Sequence, residues 1–441
     1  MSLVYERTSE VPTEVGRQAL IAAFLAFFVD MFDVFLPVVA LAPAMSYFLP
    51  KTVAPTTETT MTFLVFAFSL IGRPLGAFIF GHYGDKTGRK RITLVATLGC
   101  TVATFLMAFL PGYKVWGVTG IILLAILRFV DGIFLGGEYT GANPLAMEYT
   151  AKHKRGMYGG LINTGYPAAS VAMSIITVVL LSVMSSAGPN SPYAVWGWRI
   201  PFVAGAAFSF VLFIYYLRKV EESRAWKPTK ESAYPLKQLF RGQPLRRLMI
   251  VFIVMSGIWF QSNGFLTAYP SILGKILGVG HGVITWSQLL SGIVLLFLFT
   301  LVGVISQKIG RNKVVSIFGI IGVTIAPLLY YVLVNGGYKH TAELIVLVLV
   351  LNALMVPIFG LLTSWITEMF HTSIRASGYG VGYSLAILIP SFSSFFMLDL
   401  AKLMPYKDTG IAITAFGGLL ILIGGILSPD TRHVDFNDQD A

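Results

Sequence analysis

The sequence predicts an all-α membrane protein with twelve transmembrane helices in two pseudo-symmetric six-helix halves. Three observations predict it. Of 441 residues, 55% are hydrophobic and only 12% charged, which reverses the balance of a soluble globular chain. Twelve apolar segments can be read, near 18 to 44, 60 to 81, 92 to 111, 118 to 143, 157 to 183, 199 to 217, 248 to 270, 285 to 306, 314 to 334, 343 to 366, 378 to 400 and 410 to 427. Charged motifs then repeat: Gly303, Gly310 and Arg311 stand 222 residues after Gly81, Gly88 and Arg89, and Glu368 and Arg375 stand 220 after Glu148 and Arg155. Two features at nearly one offset imply homologous halves, whose interface would hold a substrate site near the membrane midplane.

The net charge of +11 follows the positive-inside rule and does not mark a nucleic-acid binder. With the N-terminus inside, the inner loops hold Lys86, Arg89, Lys90, Arg91, Lys152, Lys154, Arg155, Lys308, Arg311 and Lys313, while the outer loops carry scattered cations. Both termini are then cytoplasmic. The domains expected are a tail at 1–17, a helical half at 18–217, a basic cytoplasmic linker at 218–247, a second half at 248–427 and a tail at 428–441. Aromatic residues do not alternate with polar ones in ten-residue units, which argues against a β-barrel. The first apolar run is too long for a signal-peptide core and is expected to remain as a helix. Cys100 is the only cysteine, so neither an intrachain disulfide nor a thiolate cluster can form. The six histidines fall in predicted loops or tails without metal-ligand spacing, and no metal or cofactor is expected.

Helix 1 carries Asp30 and Asp33 in FFVDMFDVFLP, neighbours on one face deep in apolar sequence. Two carboxylates this close resist ionising together, so one takes a proton or both share a cation. The alternative is a capping or kink role beside Pro37. Helix 2 ends in GRPLGAFIFGHYGDKTGRKRI, with Arg73 in the membrane and Asp85 and Arg89 in the inner turn. Helix 4 contains RFVDGIFLGGEYTGANPLAME, where Arg128, Asp131 and Glu138 share a face. Charges there mark a transport pathway, unless Arg128 and Asp131 merely neutralise each other.

Depth suggests partners. At 1.5 Å per residue, Asp30 and Asp33 lie roughly 18 and 22 Å from the inner end of helix 1, and Arg128 about 10 Å from the outer end of helix 4, so they can meet. Arg73 and Glu138, about 12 and 5 Å above the inner end, come within reach of a long guanidinium. Glu148, Arg155, Glu368 and Arg375 flank inner loops and, with Arg73, Asp85, Arg89 and Glu138, form a candidate intracellular gate. The second half offers Gln261, Asn263, Tyr269, Asn352, Tyr379 and Tyr383 as polar substrate-binding groups, with Arg128 as the cation. Each polar group could equally make a helix-packing hydrogen bond.

The stretches RPLGAFIFGHYGDKTGRKR, LRFVDGIFLGGEYTGA, MEYTAKHKRGMYGG and GWRIPF together resemble the metabolite:proton symporter family of the major facilitator superfamily. The resemblance spans nearly the whole chain and implies a twelve-helix, alternating-access uptake carrier driven by protons. It also implies that a helix 1 acid and a helix 4 arginine couple the proton, which falls on Asp33 or Asp30 with Arg128. Members often carry Gln where this chain has Asp131. Carriers of this kind take di- and tricarboxylates, other organic acids and zwitterionic osmolytes.

The function expected is proton symport of a small organic acid across a prokaryotic inner membrane by a monomer in the bilayer. The competing expectations are a proton-antiporting exporter and a metabolite-sensing transceptor. An enzyme is not expected, because the sequence shows no nucleophile triad, metal or phosphate-loop constellation.

Overall fold

The computed structural model describes residues 14–53, 55–186, 188–222, 235–338 and 340–436. Most of the expected N-terminal tail, the middle of the expected linker and residues 437–441 lie outside them. Among the described residues are twelve helical spans and no strand. They are α1 (Glu14–Phe48), α2 (Leu64–Thr87), α3 (Arg89–Met107), α4 (Thr119–Glu148), α5 (Lys152–Val183), α6 (Tyr193–Lys219), α7 (Gly242–Gly274), α8 (Val283–Ile309), α9 (Arg311–Asn335), α10 (Thr341–Met369), α11 (Thr372–Leu400) and α12 (Tyr406–Leu427). Each is long and apolar enough to cross a bilayer.

The repeat legible in the sequence is a repeat of backbone geometry. Gly88 separates α2 from α3 with φ +106°, and Gly310 separates α8 from α9 with φ +117°. Both angles lie where a side chain would be strained. The first span of each half also loosens in its later part. α1 passes from α-helix into a π turn at Leu36–Leu41 and a 3-10 stretch at Ala42–Phe48, around Pro37 and Pro43. α7 has π turns at Ser262–Thr267 and Ile272–Ile276 around Pro270. Proline removes a backbone donor and disfavours the regular ladder.

Small residues bring α2 and α4 together. A Cβ added at Gly72 or Gly76 would overlap the backbone of Phe129 or Ile133, and one at Gly132 or Gly136 that of Ser69 or Arg73. This close approach of two small-xxx-small stretches sets Arg73 beside the charged face of α4. The halves meet in two matching places: Gly81 of α2 lies on the Ser377 backbone of α11, and Gly156 of α5 lies on Gly303 of α8. Outside, Phe297, Val211, Leu328 and Phe395 are each more than 60% exposed, a surface that acyl chains would solvate and water would not.

Two differences from the sequence boundaries matter. Asp85 and Glu148, expected in inner loops, occupy the last turns of α2 and α4, because α2 reaches Thr87 and α4 reaches Glu148. His82 likewise lies on α2 rather than in a loop.

Candidate functional site

The acids of α1 face different arginines. Arg73 donates to both oxygens of Asp30, at 2.7 and 3.4 Å. Arg128 binds Asp33 and also donates to Asp131 Oδ2 at 3.1 Å. Thr104 of α3 donates at 3.0 Å to Asp33 and lies 3.4 Å from Asp131. The Phe202 ring of α6 lies 5.3 Å from the Arg128 guanidinium carbon. All five charged side chains are buried, so each guanidinium interacts in a low-dielectric setting where an unpaired charge is costly.

The meeting of Asp33 with Arg128 is thus present, but the expected pair of Arg73 with Glu138 is not. Arg73 turns to Asp30, and neither oxygen of Glu138 has a hydrogen-bond partner. Axial distance allowed the pair, but Asp30 occupies the Arg73 guanidinium. The donor atoms of Asp33, Cys100 and Asp131 also lie within 4.8 Å of one another. The cation already held by its two carboxylates is Arg128.

Between the halves lies a cavity of about 690 Å³, at the end opposite the Gly88 and Gly310 turns. Its walls come from α1, α2, α5, α7, α8, α10 and α11. Arg73 is the one charged side chain among its lining residues. Arg128, expected to meet substrate, does not line it; its guanidinium binds Asp33 of α1 and Asp131 and faces the Phe202 ring of α6. Asn263, Tyr269 and Asn352 do line the cavity. The amides of Asn263 and Asn352 donate to Pro390 and Val348 carbonyls at 2.9 Å each.

Gln261, Tyr379 and Tyr383 do not line it. Gln261 packs against Gly322 and Gly417 between α9 and α12. Tyr379 and Tyr383 stack with centroids 6.2 Å apart, and Asn143 donates to the Tyr379 hydroxyl at 2.7 Å across the two halves. Tyr139 and Ser384 share another hydrogen bond between the halves. Sequence reasoning missed Trp259 and Tyr166, which line the cavity. Tyr166 stacks on Phe359 with centroids 5.7 Å apart, and the buried Trp259 Nε1 has no hydrogen-bond partner in the protein. A lone aromatic in an apolar span carries no signal that separates it from packing.

At the other end the halves are latched. Glu148 bridges Arg89 of its own half and Arg375 of the other. Asp85 accepts from the backbone N–H groups of Ala376 at 3.0 Å and Ser377 at 2.8 Å, where α11 begins its regular helix. The hydrogen bonds and the helix dipole favour a carboxylate there, against the cost of its burial. The mirror contact uses Gln307, which accepts from Gly156 N–H at 3.1 Å. Glu368 stays within its half, binding Arg311 at 3.0 Å and Thr431 at 2.9 Å. Arg155 donates to the Val434 carbonyl at 2.7 Å. The Phe436 ring then lies 3.4 Å from the guanidinium carbon of Arg155 and 3.8 Å from that of Arg375. Arg73 and Glu138 take no part in this latch.

Two further acids, absent from the sequence expectation, cap the turns. Glu222 accepts from the N–H groups of Arg89 and Lys90 at 2.9 and 3.1 Å, and Asp430 accepts from that of Arg311 at 3.3 Å. The signal available was an acid a few residues beyond the last span of each half.

Comparison with known proteins fits this architecture. The family described as Major Facilitator Superfamily matches residues 23–394. The inner membrane metabolite transport protein YhjE of Escherichia coli (strain K12) is 26% identical over 430 residues, covering 96% of each chain. The shikimate transporter of the same strain is 26% identical over 423 residues, covering 92% of each. Among solved structures, the proton:xylose symporter XylE bound to 6-bromo-6-deoxy-D-glucose superposes with a TM-score of 0.72 at 18% identity, covering 94% of this chain and 95% of that one.

Proposed function

We propose, from the premise that the chain belongs to the Major Facilitator Superfamily and is a multi-pass transporter of metabolites rather than an enzyme, that it couples uptake of a small carboxylate to protons. One observation carries the reading. The single charge lining the cavity is the guanidinium of Arg73, and Asp30 holds it at both terminal nitrogens. A planar fork is suited to a carboxylate, and so long as Asp30 is ionised it fills that fork itself.

A proton on Asp30 weakens the pair and frees Arg73 for the substrate carboxylate. Proton and anion then favour each other's binding through one cation. The Trp259 N–H supplies a further donor toward the substrate, and the ring faces of Tyr166 and Phe359 cover its apolar part. Asp33, Asp131 and Arg128 form the enclosed proton-holding group behind this pair.

The latched end carries the basic turns, so by the positive-inside rule it faces the cytoplasm and the cavity faces outward. Uptake requires Glu148, Asp85 and Gln307 to release their partners so that the halves rock about the fixed site. Each contact contributes little alone, yet together they bias states only a few kcal/mol apart.

The test is purified protein in liposomes with an internal pH dye, offered monocarboxylates, dicarboxylates, betaines and sugars under an inward proton gradient. Carboxylates should bring protons in and sugars should not. Equal proton entry with a neutral sugar would end the organic-acid reading.

A further inference from the structure

Glu138 is enclosed within the N-terminal half, with both carboxylate oxygens unpartnered. It stands seven residues after Asp131 on α4, about 10 Å further along the same helical face. The groups facing it electrostatically are Asp30 and Asp33 from α1, Arg73 from α2, Cys100 from α3, Asp131 from its own helix and Tyr216 from α6. The Tyr216 hydroxyl is likewise buried without a partner. Arg73, the one cation in this set, is engaged by Asp30.

Charge counting then decides the matter. Away from the latched end, where Asp85, Arg89 and Arg155 are also buried, the interior of this half holds four carboxylates, Asp30, Asp33, Asp131 and Glu138, against two guanidiniums, Arg73 and Arg128. Fully ionised, these six groups carry a net charge of −2. Asp30 and Arg73 balance each other, and Arg128 balances one acid of the Asp33 and Asp131 pair. Two negative charges remain, one on that pair and one on Glu138. Each is expensive at membrane depth, and a proton removes the expense.

We propose that Glu138 is a proton-binding site, holding a second proton in addition to the one shared by Asp33 and Asp131. The inference deepens the proton-coupled reading given above and rests on it for its role in transport. Binding forms one O–H bond on Glu138 with a proton taken from water, and release returns it to water. The two sites are coupled, because the charge left by emptying one lies within electrostatic range of the other.

Infrared spectroscopy of the purified full-length chain, with pH as the only probe, tests this without any substrate. At neutral pH the wild type should show two protonated-carboxyl C=O components in its carboxylic region. Glu138→Gln should remove one and Asp131→Asn the other, each lowering the intensity by about half, and the double variant should remove both. Glu138→Asp, which keeps the acid, should shift its component rather than delete it and decides the question if Glu138→Gln does not fold. A spectrum unchanged in Glu138→Gln, or unmoved in Glu138→Asp, overturns the proposal. Failure of the liposome assay to show proton entry would remove the transport reading while leaving this spectrum intact, so the two failures are distinguishable.

Discussion

The two halves share a frame and differ in what they enclose. Arg128, Asp131 and Glu138 lie inside the first half, and 220 residues on, at the offset that relates Glu148 to Glu368, stand Val348, Leu351 and Ile358. Arg73 has Leu295 as its counterpart at the 222-residue offset of the Gly88 and Gly310 turns. All eight are buried. At these positions the second half closes on apolar side chains, while the first carries an arginine–carboxylate network. It contributes instead Trp259, Asn263 and Tyr269 to the cavity wall. The difference teaches that a duplicated scaffold can keep its deep charges in one copy while both copies build the cavity wall.

The strongest way to break this division is to move the charge. Leu351→Asp places the acid of Asp131 at its mirror position without an arginine beside it. It should cost on the order of 3 kcal/mol and abolish recovery of folded protein, read by size-exclusion yield. Asp131→Leu should fold, since Asp33 and Arg128 still balance. Comparable yields for both variants would refute the asymmetry.

Next in size is the cavity pair. Arg73→Lys keeps the charge and loses the fork, so carboxylate affinity should fall at least tenfold, about 1.4 kcal/mol. Arg128→Lys, outside the cavity, should leave affinity within about twofold while impairing gradient-driven accumulation. Asp30→Asn should likewise stop accumulation but permit exchange of substrate across the membrane. Competition binding and counterflow in liposomes measure both.

The latch sharpens the comparison further. The Asp85 carboxylate accepts two N–H groups across the interface and Gln307 accepts one. Hydrogen bonds to an ionised acceptor are worth about 1.5 to 3 kcal/mol and neutral ones about 1. Asp85→Asn should therefore expose a reporter cysteine placed between the halves at the latched end about tenfold more, and Gln307→Ala only about threefold more. Equal effects would mean that the charge contributes nothing to closure. The smallest effect belongs to Phe436→Ala, which removes the ring between Arg155 and Arg375. At about 0.5 kcal/mol for the contact, the same reporter should change about twofold.

The sequence by itself determined the twelve spans, the duplication and the existence of deep charges, because each is written in local apolar length, repeat offset or the high cost of a charge in lipid. It also placed Asp33 and Arg128 at one depth, since rise per residue is fixed. Which acid meets which arginine was decided only in three dimensions. Axial depth says nothing about rotation, so Arg73 turned to Asp30, Glu138 lost its expected partner and Arg128 left the cavity. The capping acids Glu222 and Asp430, the aromatic walls and the wedge of Phe436 also waited for the tertiary structure. Their roles come from surfaces joined across more than a hundred residues, and packing rather than local pattern chooses which surfaces those are.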